Sequence, residues 1–214
     1  MKVLVIICSR DMDPKYLPNF TILKDYLISN NTDISVDYAG VLSTDDFHSY
    51  ESVITFKYKL INPKQQFTKI SDFINKYKHE LNYDWYIKFR PELKLLEPID
   101  FSLLSNSAIN ARARVYIGPK KIKNGLSVSA CYYGPYKNCF FEEIESEVII
   151  DDVIYIFDQN VINQGAFNYV DISGCENEWI HTKIWKEFRH INLNIIGINA
   201  VVMKHGHCSA DINM

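Results

Sequence analysis

Val3-Leu-Val-Ile-Ile-Cys8 is a run of strand length with no polar residue on either face. Successive side chains of a strand point to opposite faces, so such a run has to be covered on both. A parallel sheet flanked by helices is the architecture that covers both faces. The chain should then alternate strands with helices, and the pattern follows. Phe20 to Ile28 places Ile22, Leu23, Tyr26 and Leu27 at helical spacing and stops at Asn30-Asn31. Ile34 to Ala39 alternates as a second strand that Gly40 breaks, and Val53 to Leu60 is a candidate third. From Pro63, a residue suited to a first helical turn, Phe67, Ile70, Phe73, Ile74, Tyr77 and Leu81 hold one apolar face.

That helix leads directly into Asn82-Tyr-Asp-Trp-Tyr-Ile-Lys-Phe-Arg-Pro-Glu92. Trp85 to Phe89 can pair in a sheet, but Pro91 has no N–H for the ladder, so the strand stops there. A guanidinium (Arg90) and a carboxylate (Glu92) are thereby delivered to the end of a buried strand, where ligands of open α/β sheets collect. Arginine matches phosphate oxygens through two parallel hydrogen bonds, and a carboxylate can hold a divalent cation against the same phosphates. The pair reads as a diphosphate site; a plain surface ion pair is the alternative. Asp84, at the opening of the run, is read as structural.

The second half changes character. A short helix is expected over Ile99 to Ser105 and a strand over Arg114 to Ile117. Gly118 to Gly125 forms a basic loop, and Val128 to Gly134 and Glu147 to Phe157 read as longer strands. Asp158 can cap a helix running to about Tyr169. Another helix spans roughly Asn177 to His190, with Ile180, Ile184, Trp185 and Phe188 on one face, and Leu193 to Met203 closes the chain as a strand. No repeat or linker divides the sequence. One α/β domain over 1–214 is expected, with a nucleotide-binding α/β half followed by a half built on a mixed sheet.

This order resembles the GT-A glycosyltransferases, and within them proteins whose strand ends in hydrophobics, Arg, Pro and an acid in place of Asp-x-Asp. Ile150-Asp151-Asp152-Val153-Ile154-Tyr155-Ile156-Phe157 is similar to the family's later acidic strand that leads into a helix. Glu176-Asn177-Glu178-Trp179 heads a further helix, with basic residues and histidines after the last strand. The tyrosine- and asparagine-rich composition also resembles glycosyltransferase domains encoded by large DNA viruses of algae. The resemblance implies a single GT-A-like domain with a central mixed sheet, whose residues 1–117 form a nucleotide-sugar-binding half and 118–214 an acceptor-binding half with a smaller acceptor-side sheet. It further implies a UDP-sugar donor, hexose transfer to a glycan or protein-linked glycan, inversion of configuration, and Mn²⁺ or Mg²⁺. Arg90 stands where the family has its first acid, which removes a metal ligand and supplies a fixed positive charge. A domain that binds nucleotide or glycan without turnover is the alternative.

Roles follow from the chemistry each side chain can perform. Arg90 would stabilise charge developing on the β-phosphate, and Glu92 would bind the metal. Ser9 and Arg10, after the first strand, and Asp37, read as lying at the carboxyl end of the second, would hold the nucleoside. An inverting transfer needs a base for the acceptor hydroxyl. Asp151 and Asp152 are adjacent and should point to opposite faces, so one faces the cleft; Asp152 is the choice, with Asp151 solvated. Both lying on an exposed strand edge is the alternative. The resemblance makes His205 and His207 candidate metal ligands and Lys204 a diphosphate contact. Arg112, Arg114, Lys120, Lys121 and Lys123 form a basic cluster read mainly as a solvated loop. Tyr132, Tyr133 and Tyr136 offer faces for a sugar, and Trp179 and Trp185 are packing candidates.

Composition excludes other classes. Lys and Arg total 23 against 26 Asp and Glu, a net charge of −3, which does not suit a general nucleic-acid binder. The apolar runs fall far short of the roughly 20 residues a membrane helix needs, and the first is too short and too early for a secretory signal. Five cysteines with no C-x-x-C pair suggest free thiols in a reducing compartment, hence the cytoplasm, that of a host cell if the protein is viral. His205 to Met214 show no clear element, as at the edge of one domain in a longer protein.

Overall fold

The computed structural model describes residues 1–10, 13–29, 33–117, 130–133, 146–168, 181 and 184–202. Its first half runs β1 (Lys2–Cys8), α1 (Leu17–Ser29), β2 (Ser35–Leu42), β3 (Phe56–Ile61), α2 (Gln66–Tyr77) and β4 (Trp85–Phe89). The chain continues with β5 (Leu93–Leu95), β6 (Ala108–Ile117), β7 (Ala130–Tyr133), β8 (Ser146–Phe157), α3 (Gln159–Asn163), β9 (Asn192–Ile195) and β10 (Ala200–Val202).

β1 is the central strand that its composition requires. It pairs in parallel with β2 on one side and β4 on the other. Leu4, Ile6 and Cys8 pack with Phe67, Ile70, Phe73 and Ile74 of α2, whereas Val3, Val5 and Ile7 pack with Phe20, Leu23 and Leu27 of α1. The two helices therefore cover opposite faces of one α/β sheet, in the order β3-β2-β1-β4-β8-β6-β7, with β9 added alongside β6. β3, β2, β1 and β4 are parallel; β8 then runs antiparallel to both β4 and β6. The sheet is mixed, as expected, and β5 and β10 form a separate two-stranded sheet.

The chain leaves β1 toward β2 but returns through α2 to β4 on the other side. The strand order thus reverses between β1 and β4, the kind of switch point at whose carboxyl end open α/β sheets bind their ligands. No helix among the described residues is long and apolar enough to cross a membrane.

Several boundaries differ from the sequence reading. Gly40 does not break β2, which continues to Leu42. A Cβ at Gly40 would lie 2.7 Å from Phe47 Cε1 and 3.0 Å from Phe56 Cε1, so the glycine serves close ring packing instead. Gly40→Ala is expected to cost about 1–3 kcal/mol by overpacking, read as a lower urea midpoint with unchanged slope. The third strand starts at Phe56, because Tyr50 to Val53 form turns closed by the Val53 N–H to the Tyr50 carbonyl, 2.9 Å. α2 begins at Gln66 rather than Pro63, since Asn62 Oδ1 accepts the Lys64 N–H (3.0 Å) and holds a turn there.

Ile99 to Ser105 contains a single 3₁₀ turn, Phe101–Leu103, where Asp100 accepts the Ser102 N–H at 2.9 Å. Asp158 caps α3 through the Val161 N–H at 3.1 Å, but the helix ends at Asn163, and Gly165 adopts φ 78°. In place of the expected strand from Leu193 to Met203 there are two, β9 and β10, in different sheets. Between Asn177 and His190, residues 184–189 are a π-helical segment.

Candidate functional site

β4 ends as Pro91 dictates. Arg90-Pro91-Glu92-Leu93 forms a turn with proline at its second position, closed by the Leu93 N–H to the Arg90 carbonyl at 3.1 Å. The turn folds Glu92 back on Arg90, so the two side chains form an ion pair. Asn19, at the start of α1, fixes the corner by donating from Nδ2 to the Pro91 carbonyl at 2.8 Å. Arg90 and Glu92 are thus set at the strand end by proline geometry and one buried amide.

Alongside β4, β8 supplies the third charged group. Its register with β6 jumps from Ala111↔Tyr155 to Ala113↔Ile150, so residues 151–154 stand opposite Arg112 alone. Such a bulge suspends the two-residue alternation of a strand. Each aspartate takes its own guanidinium. Asp152 Oδ2 accepts from Arg90 Nη1 at 2.9 Å, and Asp151 Oδ2 accepts from Arg112 Nε at 2.8 Å. Asp151 Oδ1 also takes the Val153 N–H at 3.1 Å.

Two expectations are corrected here. Asp151 is fully buried rather than solvated, and Arg112 is a core residue rather than part of a solvated basic loop. Arg112 further donates from Nη1 to the Ala200 carbonyl at 2.7 Å, tying β10 to the sheet. Nor do the two carboxylates line an exposed edge, because β8 is flanked by β4 and β6.

Arg90, Glu92 and Asp152 keep side-chain exposures of 17%, 13% and 9%, too enclosed for a surface pair yet not sealed from solvent. Burial works against the Arg90 charge, but the Asp152 and Glu92 carboxylates outweigh it and push its pKa above the ordinary arginine value. One N–H on each terminal nitrogen goes to a carboxylate; among the described residues, the other donors of the fork have no hydrogen-bond partner.

Two buried lysines underpin the site, and the sequence reading passed over both. Lys88, in β4, donates to the Asp152 carbonyl and lies 5.4 Å from the Tyr155 ring centroid. It thereby satisfies a carbonyl that the bulge turns out of the ladder. Burial lowers its pKa below the ordinary lysine value, with Asp152 acting in the opposite sense. Lys69, in α2, donates to the Ser9 carbonyl and to Ser43 Oγ (2.7 Å), joining the carboxyl ends of β1 and β2. For Lys88 the available signal was a lysine inside an otherwise apolar strand, since a buried ammonium requires partners; Lys69 has Gln65, Gln66 and Asp72 beside it on its helix and carried no such signal.

The remaining candidates divide by position. Ser9 is buried and Arg10 exposed at the carboxyl end of β1, where the Arg10 carbonyl accepts the Ser43 N–H at 3.3 Å. Asp37 is not at the carboxyl end of β2. It pairs with Leu4, while Val41 pairs with Cys8, which places it about 13 Å back along the strand at a rise of about 3.3 Å per residue. There it accepts from Lys57 Nζ and the Tyr83 hydroxyl, both at 2.6 Å, so it belongs to a cluster at the opposite edge. The strand reads short because Gly40 looks like a terminator, and that misplaced its end. Asp84 Oδ2 accepts the Lys2 N–H at 2.7 Å, a structural role as expected.

Lys204, His205 and His207 lie outside the described residues, as do Lys120, Lys121, Lys123, Tyr136 and Glu176 to Trp179. Trp185 is buried and donates to the Ala166 carbonyl at 3.2 Å, a packing residue.

A divalent cation fits this donor set poorly. Glu92 and Asp152 both direct an oxygen at Arg90, whose guanidinium sits where an ion shared by the two acids would. Among the described residues no group of three or more His, Cys, Asp or Glu side chains is gathered so as to hold a metal.

No protein-family model and no curated protein matches the chain. Solved structures do match. CMP:2-keto-3-deoxy-manno-octonic acid synthetase, complexed with CTP, aligns over 92% of this chain and 90% of its own, with TM-score 0.51 and 11% identity. A nucleoside-diphosphate-sugar pyrophosphorylase from Vibrio cholerae RC9 aligns over 93% and 95%, with TM-score 0.49 and 8% identity. A glycosyltransferase involved in glycosylation of the major capsid of PBCV-1 aligns over 91% and 81%, with TM-score 0.46 and 9% identity. The likeness is one of fold: the chain shares with the synthetase an α/β domain, here built on a central mixed sheet as expected from the sequence.

Proposed function

We propose that the chain is a nucleotide-sugar-dependent transferase that moves a hexose from a UDP-sugar to a glycan hydroxyl with inversion. The observation that carries this reading is the Arg90–Glu92–Asp152 cluster at the reversal point between β1 and β4. The diphosphate lies against the Arg90 fork, and the Ser9-Arg10 segment borders the nucleoside. As the acceptor oxygen bonds to the anomeric carbon, the bond from that carbon to the β-phosphate oxygen breaks. The electron pair leaves with the phosphate, whose charge Arg90 meets, and Asp152 takes the hydroxyl proton.

A second reading, nucleotidyl transfer from CTP or UTP to a sugar, draws support from the likeness to the synthetase fold. It would favour a glycine-rich, lysine-bearing phosphate loop after β1; here the residues are Ser9-Arg10-Asp11-Met12-Asp13.

Calorimetric titration with UDP, CDP and GDP, followed by NMR of UDP-hexoses incubated with glycan acceptors, separates the readings. Preference for UDP and a product of inverted anomeric configuration are expected. Pyrophosphate release from CTP or UTP with a free sugar would replace the proposal with the second reading. Binding without turnover across the donor and acceptor panel would leave a nucleotide- or glycan-binding domain.

A further inference from the structure

We infer that Arg90 is a tethered cation that stands in for a divalent metal, closing the Glu92–Asp152 carboxylate pair to Mn²⁺ and Mg²⁺. The guanidinium reaches Asp152 Oδ2 from Nη1 at 2.9 Å and Glu92 from Nη2, so one planar group bridges both acids. A hard divalent ion needs those same oxygens. To enter, it would have to displace a side chain held by two charge-assisted bonds in a largely enclosed place, leaving the guanidinium short of partners. Arginine keeps its charge across the physiological range, so the obstruction does not lift with pH. The corner is also braced from behind, by Asn19 on the Pro91 carbonyl and by the Arg90 N–H on the Val153 carbonyl at 3.0 Å. A swing of Arg90 away from the acids would have to occur on a fixed backbone.

The same side chain that excludes the metal supplies what the metal would have supplied to a diphosphate. Its unengaged N–H donors offer a positive fork matched to phosphate oxygens. Nucleotide diphosphate binding should then be indifferent to chelation. The nucleotide half of the inference rests on the function proposed above; the exclusion of metal rests on the geometry alone.

The test uses the full chain and Mn²⁺ as its own probe, read by the loss of the free-ion EPR signal. The wild type is expected to take up no Mn²⁺ at ion concentrations up to 1 mM, a ceiling set on the order of the weakest protein sites for such ions. Arg90→Ala uncovers both acids and should bind Mn²⁺ at least tenfold more tightly than the wild type. Arg90→Ala combined with Glu92→Gln should lose that gain, and Arg90→Lys, which keeps a cation between the acids, should not acquire it. Circular dichroism identifies any variant that fails to fold; the wild-type and Arg90→Lys measurements then decide. Tight Mn²⁺ uptake by the wild type that Glu92→Gln removes would overturn the inference, as would a folded Arg90→Ala that gains nothing.

In a second arm, UDP affinity is compared in EDTA and in Mn²⁺. Equal affinities within twofold are expected, and a tenfold gain with Mn²⁺ would overturn the inference. A chain that binds no nucleotide but behaves as described toward Mn²⁺ would defeat the proposed function and leave the metal exclusion standing.

Discussion

Asp152→Asn is expected to slow the proposed hexose transfer by about 10³-fold, within the range of roughly 10² to 10⁴ that a positioned general base contributes. UDP affinity should change little, because the amide keeps the shape of the carboxylate and its carbonyl oxygen can still accept from Arg90 Nη1, now 2.9 Å from Oδ2. The distinguishing readout is the pH profile. A base that must be ionised gives a rate that falls on acidification, and the asparagine variant should lose that limb while its residual rate stays flat. A merely structural Asp152 predicts the opposite pattern: lower thermal stability, weaker nucleotide binding and an unchanged profile shape. Steady-state kinetics over pH with a UDP-hexose, alongside thermal unfolding, makes the comparison.

The largest stability effect should come from the neighbouring aspartate. Arg112→Met would leave Asp151, fully buried, without its guanidinium. Breaking a buried ion pair from one side costs about 3–5 kcal/mol, chiefly because the remaining charge loses its counter-charge while staying buried. Removing both, as Arg112→Met with Asp151→Leu, should recover much of that loss, since an apolar pair of similar volume avoids the desolvation penalty. The cycle is read from urea unfolding. An exposed pair such as Lys64–Asp72, 3.1 Å apart, should by contrast contribute at most about 1 kcal/mol. A single-mutant loss as small as that would mean the Asp151–Arg112 bond does not stabilise the bulge.

Chemical pattern made the first half of the fold legible. The all-apolar β1 specified two covered faces, the apolar spacing of α2 specified which side it packs, and Pro91 specified where β4 stops. Arg90, Glu92 and Asp152 came together because a proline and an adjacent acid are local signals. What failed was long-range. The bulge in β8 exists only relative to β6, so nothing in Asp151-Asp152 announced that both would be buried with separate arginines. Arg112 looked like the start of a basic loop because Arg114 and three lysines follow it. Asp37 was misplaced by one glycine that does not end its strand. Lys69 and Lys88 drew no reading, and only Lys88, between Ile87 and Phe89 in a buried strand, carried a sign of enclosure.

Because four residues of β8 face one of β6, this segment has a fixed length requirement as well as a fixed composition. Deleting or inserting one residue between 151 and 154 would move each acid onto the wrong arginine, or onto none. Drift in chain length should therefore collect at the turns between elements and spare this stretch. In any set of descendants of this sequence, the spacing from Ile150 to Tyr155 should outlast the identity of the side chains around it.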